Sequence, residues 1–248
     1  MRSWRGTDGP GSMDAADTEL RVFEDVEALS TAAARALVEE ARRAIAERGR
    51  FALALSGGKT PWPLYDRLAA EHRGDEVWRD VHLFWTDERF VPRDHPDSNA
   101  GAALTRLRAL SLPSENLHVP DTRLALPEET ARRYERELAA FHPLDAVLLG
   151  MGEDGHVASL FPGAPALEET HRLVVAVHDS PKPPLVRITM TLPALSGARV
   201  VHFLVTGSAK REALSRVLSG ADPSLPASRV RLREGRRTLF WADRAAAP

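Results

Sequence analysis

The chain has no cysteine, so disulfides, thiolate catalysis and cysteine-held metal sites are excluded. It has almost no lysine: ammonium groups occur only at Lys59, Lys182 and Lys210, amid abundant arginine. It also has little net charge, −2 over 248 residues, so no global basic field directs it to nucleic acid or to an anionic membrane surface. No apolar run approaches the ~20 residues that cross a bilayer, and no apolar leader segment follows Met1. These absences leave a cytoplasmic enzyme or small-molecule-binding protein as the expectation, with neither nucleic acid nor membrane as partner. The hydrophobic fraction of 43% is ordinary for a globular protein, and the length suits one α/β domain.

Residues 1–18 are polar and carry Gly9-Pro10-Gly11-Ser12, which reads as a disordered tail ahead of a single domain over 19–248. From Glu19 onward strand and helix patterns alternate. Short apolar runs predict strands at 20–23, 51–55, 81–85, 145–149, 173–177, 186–190, 200–205 and 238–241. Amphipathic patterns predict helices at 26–48, 100–109, 128–140 and 209–218. The stretch 86–99 reads as a polar loop, and the proline-rich 178–184 as another. Alternating strands and helices imply a mostly parallel sheet with helices on both faces.

What is present concentrates after three of these strands. The segment GMGEDGHVASL, residues 150–160, follows the apolar run 146–149 and is too rich in glycine for a helix. Polar side chains at the end of a parallel strand stand where open α/β sheets bind ligands. His156 beside Asp154 suits general acid–base work near neutral pH. The spacing Gly150-x-Gly152-x-x-Gly155 matches the dinucleotide fingerprint formally, but Pro162, Gly163 and Pro165 break the helix that fingerprint requires.

Ser56-Gly57-Gly58-Lys59-Thr60-Pro61 follows strand 51–55 and opens a helix, with Thr60 as its cap and Pro61 at its first position. Glycines let backbone N–H groups approach an anion, and a helix N-terminus adds positive potential. Leu53 stands where a Walker A loop has its first glycine, so this is a phosphate cradle of another kind. Asp87, Glu88 and Arg89 follow the strand ending at Trp85 and suit polyol hydroxyls. Asp97-Ser98-Asn99 has the composition of a helix cap. Arg187 lies in an apolar strand and needs a partner, either a bound phosphate or an internal carboxylate. Lys210 follows Thr206-Gly207-Ser208 at a helix start, again suited to an anion. No HExxH or other metal-ligand spacing is present, so no metal and no cofactor is expected.

Taken together, SGGKTP (56–61), TDERFVP (86–92), DSN (97–99), GMGEDGHVASLFPG (150–163), VRITMTLP (186–193) and TGSAK (206–210) resemble the 6-phosphogluconolactonases, relatives of the glucosamine-6-phosphate deaminases/isomerases. The resemblance runs from about Phe23 to Trp241, and GEDGHVASLFPG is its most specific part. It implies a doubly wound α/β domain that hydrolyses 6-phospho-D-glucono-1,5-lactone, a sugar-phosphate lactone, in the pentose phosphate pathway. It implies His156 as the base that activates water, with Asp154 and Asp87 as supporting carboxylates. It places Gly57, Gly58, Lys59, Thr60, Arg187 and Lys210 at the phosphate, and Glu88, Arg89 and Asn99 along the sugar. Lys59 departs from the serine common in the family. A monomer or weak homodimer is expected.

Two other readings share the fold. A sugar-phosphate deaminase/isomerase resembling this chain carries a glutamate five residues after the histidine; here that residue is Phe161, which cannot orient an imidazole by hydrogen bonding. A sugar-phosphate-sensing regulator needs a DNA-binding helix-turn-helix unit, and the residues before Glu19 are too few for one. Ser159 lacks the GxSxG elbow of a serine nucleophile and is expected to pack or cap.

Overall fold

Phe51, Leu53 and Leu55 pack with one group of buried side chains, while Ala52 and Ala54, the residues between them, pack with a second. That alternation is the period of a strand with both faces covered, and it organises the molecule. The computed structural model describes residues 2–5, 17–220, 222–230, 232 and 234–248. In chain order the first elements are β1 (Arg2–Arg5), β2 (Asp17–Phe23), α1 (Val26–Arg48), β3 (Phe51–Leu55), α2 (Trp62–Glu71), β4 (Val81–Trp85) and β5 (Asp87–Arg89). Then come α3 (Asn99–Leu107), α4 (Pro127–Ala139), β6 (Ala146–Gly150), β7 (Val174–Val177), β8 (Arg187–Met190) and α5 (Leu192–Gly197). The chain ends with β9 (Val200–Val205), α6 (Arg211–Leu218), α7 (Pro226–Arg229) and β10 (Arg237–Asp243).

The main sheet has seven strands in the order β1-β2-β10-β9-β6-β3-β4. Every neighbouring pair from β2 to β4 is parallel; β1 alone runs antiparallel, against β2. Helices α1, α2 and α3 cover one face through Leu37, Leu64, Tyr65 and Leu107. Helices α4, α5 and α6 cover the other through Tyr134, Leu138, Leu195 and Leu214. The expected mostly parallel sheet with helices on both faces is therefore present. Helix α1 has its expected bounds: Asp25 accepts from the Ala28 N–H at 2.8 Å to cap its start, and Gly49 closes its end.

Three expectations need correction. The structureless segment 1–18 fails at both ends, because Arg2–Arg5 and Asp17–Thr18 lie in strands. Pairing β1 onto β2 satisfies an edge that would otherwise present open N–H and C=O groups. Residues 6–16 lie outside the described residues. The stretch 86–99 is not all loop, because β5 pairs antiparallel with β8, which pairs with β7, to make a second, three-stranded sheet. Thr60 does not cap α2. A turn closed by Trp62 N–H to the Lys59 carbonyl, at 3.2 Å, delays the helix, and Pro61 holds the cap position without a side-chain bond.

From β3 the chain steps outward to β4, then returns across β3 to β6 and proceeds through β9 to β10. The loops that leave the ends of β3 and β6 therefore part in opposite directions. Such a reversal opens a crevice at the carboxyl ends of the strands, and the glycine loop and the histidine loop border it.

Candidate active site

The two loops are joined at the reversal. Gly150 N–H donates to Ser56 Oγ at 3.1 Å, and Tyr65 Oη–H donates to the Ser56 carbonyl at 2.7 Å. Gly57 has no room for a side chain: a Cβ there would lie 2.2 Å from atoms of the Asn99 carboxamide. Gly58 and Lys59 are exposed at the rim, Thr60 is half-buried, and the Lys59 ammonium has no ion-pair partner among the described residues.

The histidine loop folds on itself. Gly152 N–H donates to the His156 carbonyl at 2.9 Å, and Gly155 N–H to the Gly152 carbonyl at 3.1 Å. This draws His156 Nδ1 to 2.5 Å from Asp154 Oδ1. A carboxylate only accepts, so Nδ1 carries the proton and the lone pair stands on Nε2. A Cβ at Gly152 would fall 2.0 Å from His156 Nδ1. Phe161 backs the imidazole, ring centroids 4.6 Å apart. The His156 side chain keeps 19% of its surface, enough for a water or substrate to reach it. Burial lowers its pKa, offset in part by the Asp154 hydrogen bond and charge and deepened by the positive charge of Lys182. The imidazole is therefore neutral at pH 7, as a general base must be. Burial tends to raise the Asp154 pKa, but the His156 hydrogen bond and charge outweigh it, and Asp154 stays ionised below the usual range.

Asp87 does not share this contact. It is buried, with Oδ2 accepting from Ser159 Oγ–H at 2.7 Å and Oδ1 from Asn99 Nδ2–H at 3.2 Å. Both its oxygens have protein donors, so it acts on His156 through space and holds other groups in place. Arg187 is buried opposite, 3.8 Å from Asp87 Oδ2. Its Nε–H donates to the Pro184 carbonyl at 3.0 Å, Nη2 to the Lys182 carbonyl at 2.6 Å and Nη1 to Ser159 Oγ at 3.3 Å. Of the two partners open to Arg187, the internal carboxylate is thus present, and most of its five N–H groups are already engaged.

Glu88 is turned away from the crevice, against expectation. At 2% exposure it accepts from the N–H groups of Arg89, Asn99 and Ala100, each at 2.7 Å, and from Ser98 Oγ–H at 3.0 Å. It satisfies the orphan N–H groups at the start of α3, and its pKa is raised by burial in spite of those donors. Asn99 likewise turns inward, donating to the Asp87 carbonyl at 2.9 Å as well as to its side chain. Arg89 is half-buried and donates to the Asp97 carbonyl at 2.7 Å, but its buried Nε has no hydrogen-bond partner among the described residues. It pairs across the strands with Arg187, so two guanidiniums occupy facing positions, an arrangement that favours a bound anion.

On the far side of the crevice Lys210 Nζ stands 3.8 Å from Glu153 Oε1, at the rim of the histidine loop. The turn before it is held from behind: Gly207 N–H donates to both oxygens of Asp243 at 3.1 Å. Sequence reasoning gave Ser159 only a packing or capping part and assigned no site role to Asp243 or Lys182. Each acts through contacts distant in sequence, and the scarcity of lysine was the one sign that pointed to Lys182.

A crevice at a strand-order reversal, bordered by a glycine loop, a histidine–carboxylate pair and sparse ammonium groups, defines an α/β protein with a ligand site at the carboxyl ends of its strands. A family profile described as "Glucosamine-6-phosphate isomerases/6-phosphogluconolactonase" matches residues 24–241, and the chain belongs to that family. It is 43% identical over 199 residues to a 6-phosphogluconolactonase of Synechocystis sp., covering 76% of this chain and 80% of that one. It is 40% identical over 244 residues to a 6-phosphogluconolactonase of Mycobacterium tuberculosis, covering 93% and 97%. The crystal structure of a 6-phosphogluconolactonase from Thermotoga maritima superposes with a TM-score of 0.82 at 32% identity, covering 92% of this chain and 100% of that one.

Proposed function

We propose that this chain hydrolyses 6-phospho-D-glucono-1,5-lactone to 6-phospho-D-gluconate, in the oxidative pentose phosphate pathway. The observation that carries the reading is the His156–Asp154 pair, which leaves an unprotonated Nε2 open to the crevice. Nε2 takes a proton from water as its oxygen attacks the lactone carbonyl carbon. Charge develops on the carbonyl oxygen, and the positive field of Lys182 stabilises it. The imidazolium then returns the proton to the ring oxygen as the carbon–oxygen bond breaks. One water is consumed, the ring opens, and a carboxylic acid is released and ionises.

The phosphate is anchored at the rim by the backbone of Gly57, Gly58 and Thr60 and by the ammonium groups of Lys59 and Lys210. Arg187 contributes its remaining Nη1–H, and Arg89 its unspent Nε–H, between phosphate and sugar. Anchoring a remote group orients the ring carbon against the water, which is where binding energy lowers a barrier. Phe161, packed against His156, stands where the deaminase/isomerase pattern carries a glutamate, which favours this reading over ring-opening isomerisation. No helix of the described residues is long and apolar enough to cross a membrane; the enzyme is read as cytoplasmic, a monomer or weak homodimer. The test compares 6-phosphogluconolactone with unphosphorylated gluconolactone. A kcat/KM at least ~100-fold higher for the phosphorylated ester supports the anchor, and equal values contradict it.

A further inference from the structure

Ser159 lies three residues beyond His156 and is completely buried. Its backbone N–H donates to Thr189 Oγ1 of β8 at 3.1 Å, and its hydroxyl donates to Asp87 Oδ2 of β5 at 2.7 Å. The same oxygen accepts from Arg187 Nη1 of β8 at 3.3 Å. One side chain thus joins the histidine loop to both strands of the small sheet that flank it. Carboxylate and guanidinium are 3.8 Å apart without direct hydrogen bonding, so Ser159 bridges them. The turn that delivers it is strained: Ala158 has φ +50, a left-handed conformation that a residue with a Cβ adopts at a cost. The turn is closed by the Leu160 N–H donating to the Val157 carbonyl at 2.9 Å, and the bonds of Ser159 tie it to β5 and β8.

The bridge reaches further through Arg187. Its Nε–H and Nη2 fix the carbonyls of Pro184 and Lys182. Ser180 adds a second tie: its hydroxyl donates to the Lys182 carbonyl at 2.9 Å and accepts from Lys182 N–H at 3.3 Å. The segment that carries Lys182 is therefore tied to the histidine loop by way of Arg187 and Ser159.

We infer that Ser159 is a positioning residue which, through Asp87 and Arg187, sets the Lys182 segment against His156 for the hydrolytic step. This rests on the proposed lactonase reading for its catalytic consequence, on the hydrogen bonds for the link from Ser159 to the Lys182 segment, and on the charge that Lys182 exerts at His156 for the last step. Removing the hydroxyl takes the donor from Asp87 and the acceptor from Arg187. The guanidinium then closes on the carboxylate and leaves the Lys182 and Pro184 carbonyls, and the ammonium withdraws from the imidazole. The charged groups that act on His156 are Asp154, Asp87 and Lys182; Lys182 is the one whose withdrawal raises the His156 pKa.

The test is an NMR titration of the His156 ring in the parent, Ser159→Ala, Lys182→Met and the double variant, with steady-state hydrolysis measured alongside. The expected result is an upward shift of the His156 midpoint in Ser159→Ala that is absent when Ser159→Ala is added to Lys182→Met. A kcat loss of about 10- to 100-fold with a smaller change in KM accompanies it. A lowered melting temperature with midpoint and kcat unchanged overturns the inference, as does a shift of equal size in the Lys182→Met background. Should Ser159→Ala show no cooperative melting, Ser159→Cys, which keeps a weaker hydrogen-bonding atom, carries the same comparison with the same direction required. A parent that fails to hydrolyse the lactone removes the functional reading, while the titration still decides the coupling.

Discussion

His156 Nδ1 and Asp154 Oδ1 stand 2.5 Å apart, the aspartate two residues before the histidine on one glycine-bounded loop. The carboxylate fixes the tautomer and supports the imidazolium formed as water is deprotonated. Asp154→Asn offers an amide N–H to Nδ1 and so favours the wrong tautomer. The expected loss in kcat is about 100-fold or more with KM little changed. Because Asp154 raises the His156 pKa against burial, the acid limb of kcat/KM should move to lower pH in the variant. Steady-state rates across the acid range check both, and a limb that moves upward contradicts the assignment.

Gly152 is required by space. A Cβ there would lie 2.0 Å from His156 Nδ1 and 2.3 Å from Asp154 Oδ1, so Gly152→Ala pushes the pair apart. Turnover should fall by at least ~100-fold, while the melting temperature changes by no more than a few degrees, because the strain falls on one loop outside the strands and helices of the core. Calorimetry beside kinetics distinguishes this from general unfolding.

Glu88→Ala should act on stability first. Three donors at the start of α3 and the Arg89 N–H of β5 lose their acceptor, a change worth about 2–4 kcal/mol. Urea unfolding reads this directly. A variant with parental stability but a raised KM would restore Glu88 to the sugar site.

A separate prediction concerns acid stability. His118 is stacked on Phe84, ring centroids 4.3 Å apart, and its Nε2 lies 3.1 Å from His82 Nδ1. Burial, with the His82 charge, brings its pKa down to about 4, and burial lowers that of His82 as well. The unfolded chain binds protons at these rings near pH 6.5 while the folded one does not. Stability therefore falls as pH drops from about 6.5 towards 4, since the unfolded state takes up more protons there. His118→Phe, which keeps the stack and removes the titration, should lose less stability between pH 7 and pH 5 than the parent. Denaturant midpoints at the two pH values measure the difference, and equal losses contradict it.

Much of this was legible in the sequence, for identifiable reasons. The central strands announce themselves as short apolar runs because both faces are covered, and α1 is bounded by Asp25 and Gly49. His156 and Asp154 are visible because they interact within one loop. The small sheet was not legible: Asp87-Glu88-Arg89 has no strand composition and is extended only because β8 pairs with it. For the same reason Glu88 read as a ligand contact when it is a helix cap. Asp87 read as a partner of the histidine when Ser159, 72 positions away, claims it. Both depend on contacts that the local pattern does not encode.

The most direct measurement is hydrolysis of freshly generated 6-phosphogluconolactone, against its spontaneous background, by the parent and by folded His156→Ala. The account predicts acceleration by the parent and a loss of at least ~100-fold in kcat for the variant, with product binding retained. Equal acceleration by both would keep the reaction and remove His156 as its base; no acceleration by the parent would contradict the lactonase reading itself.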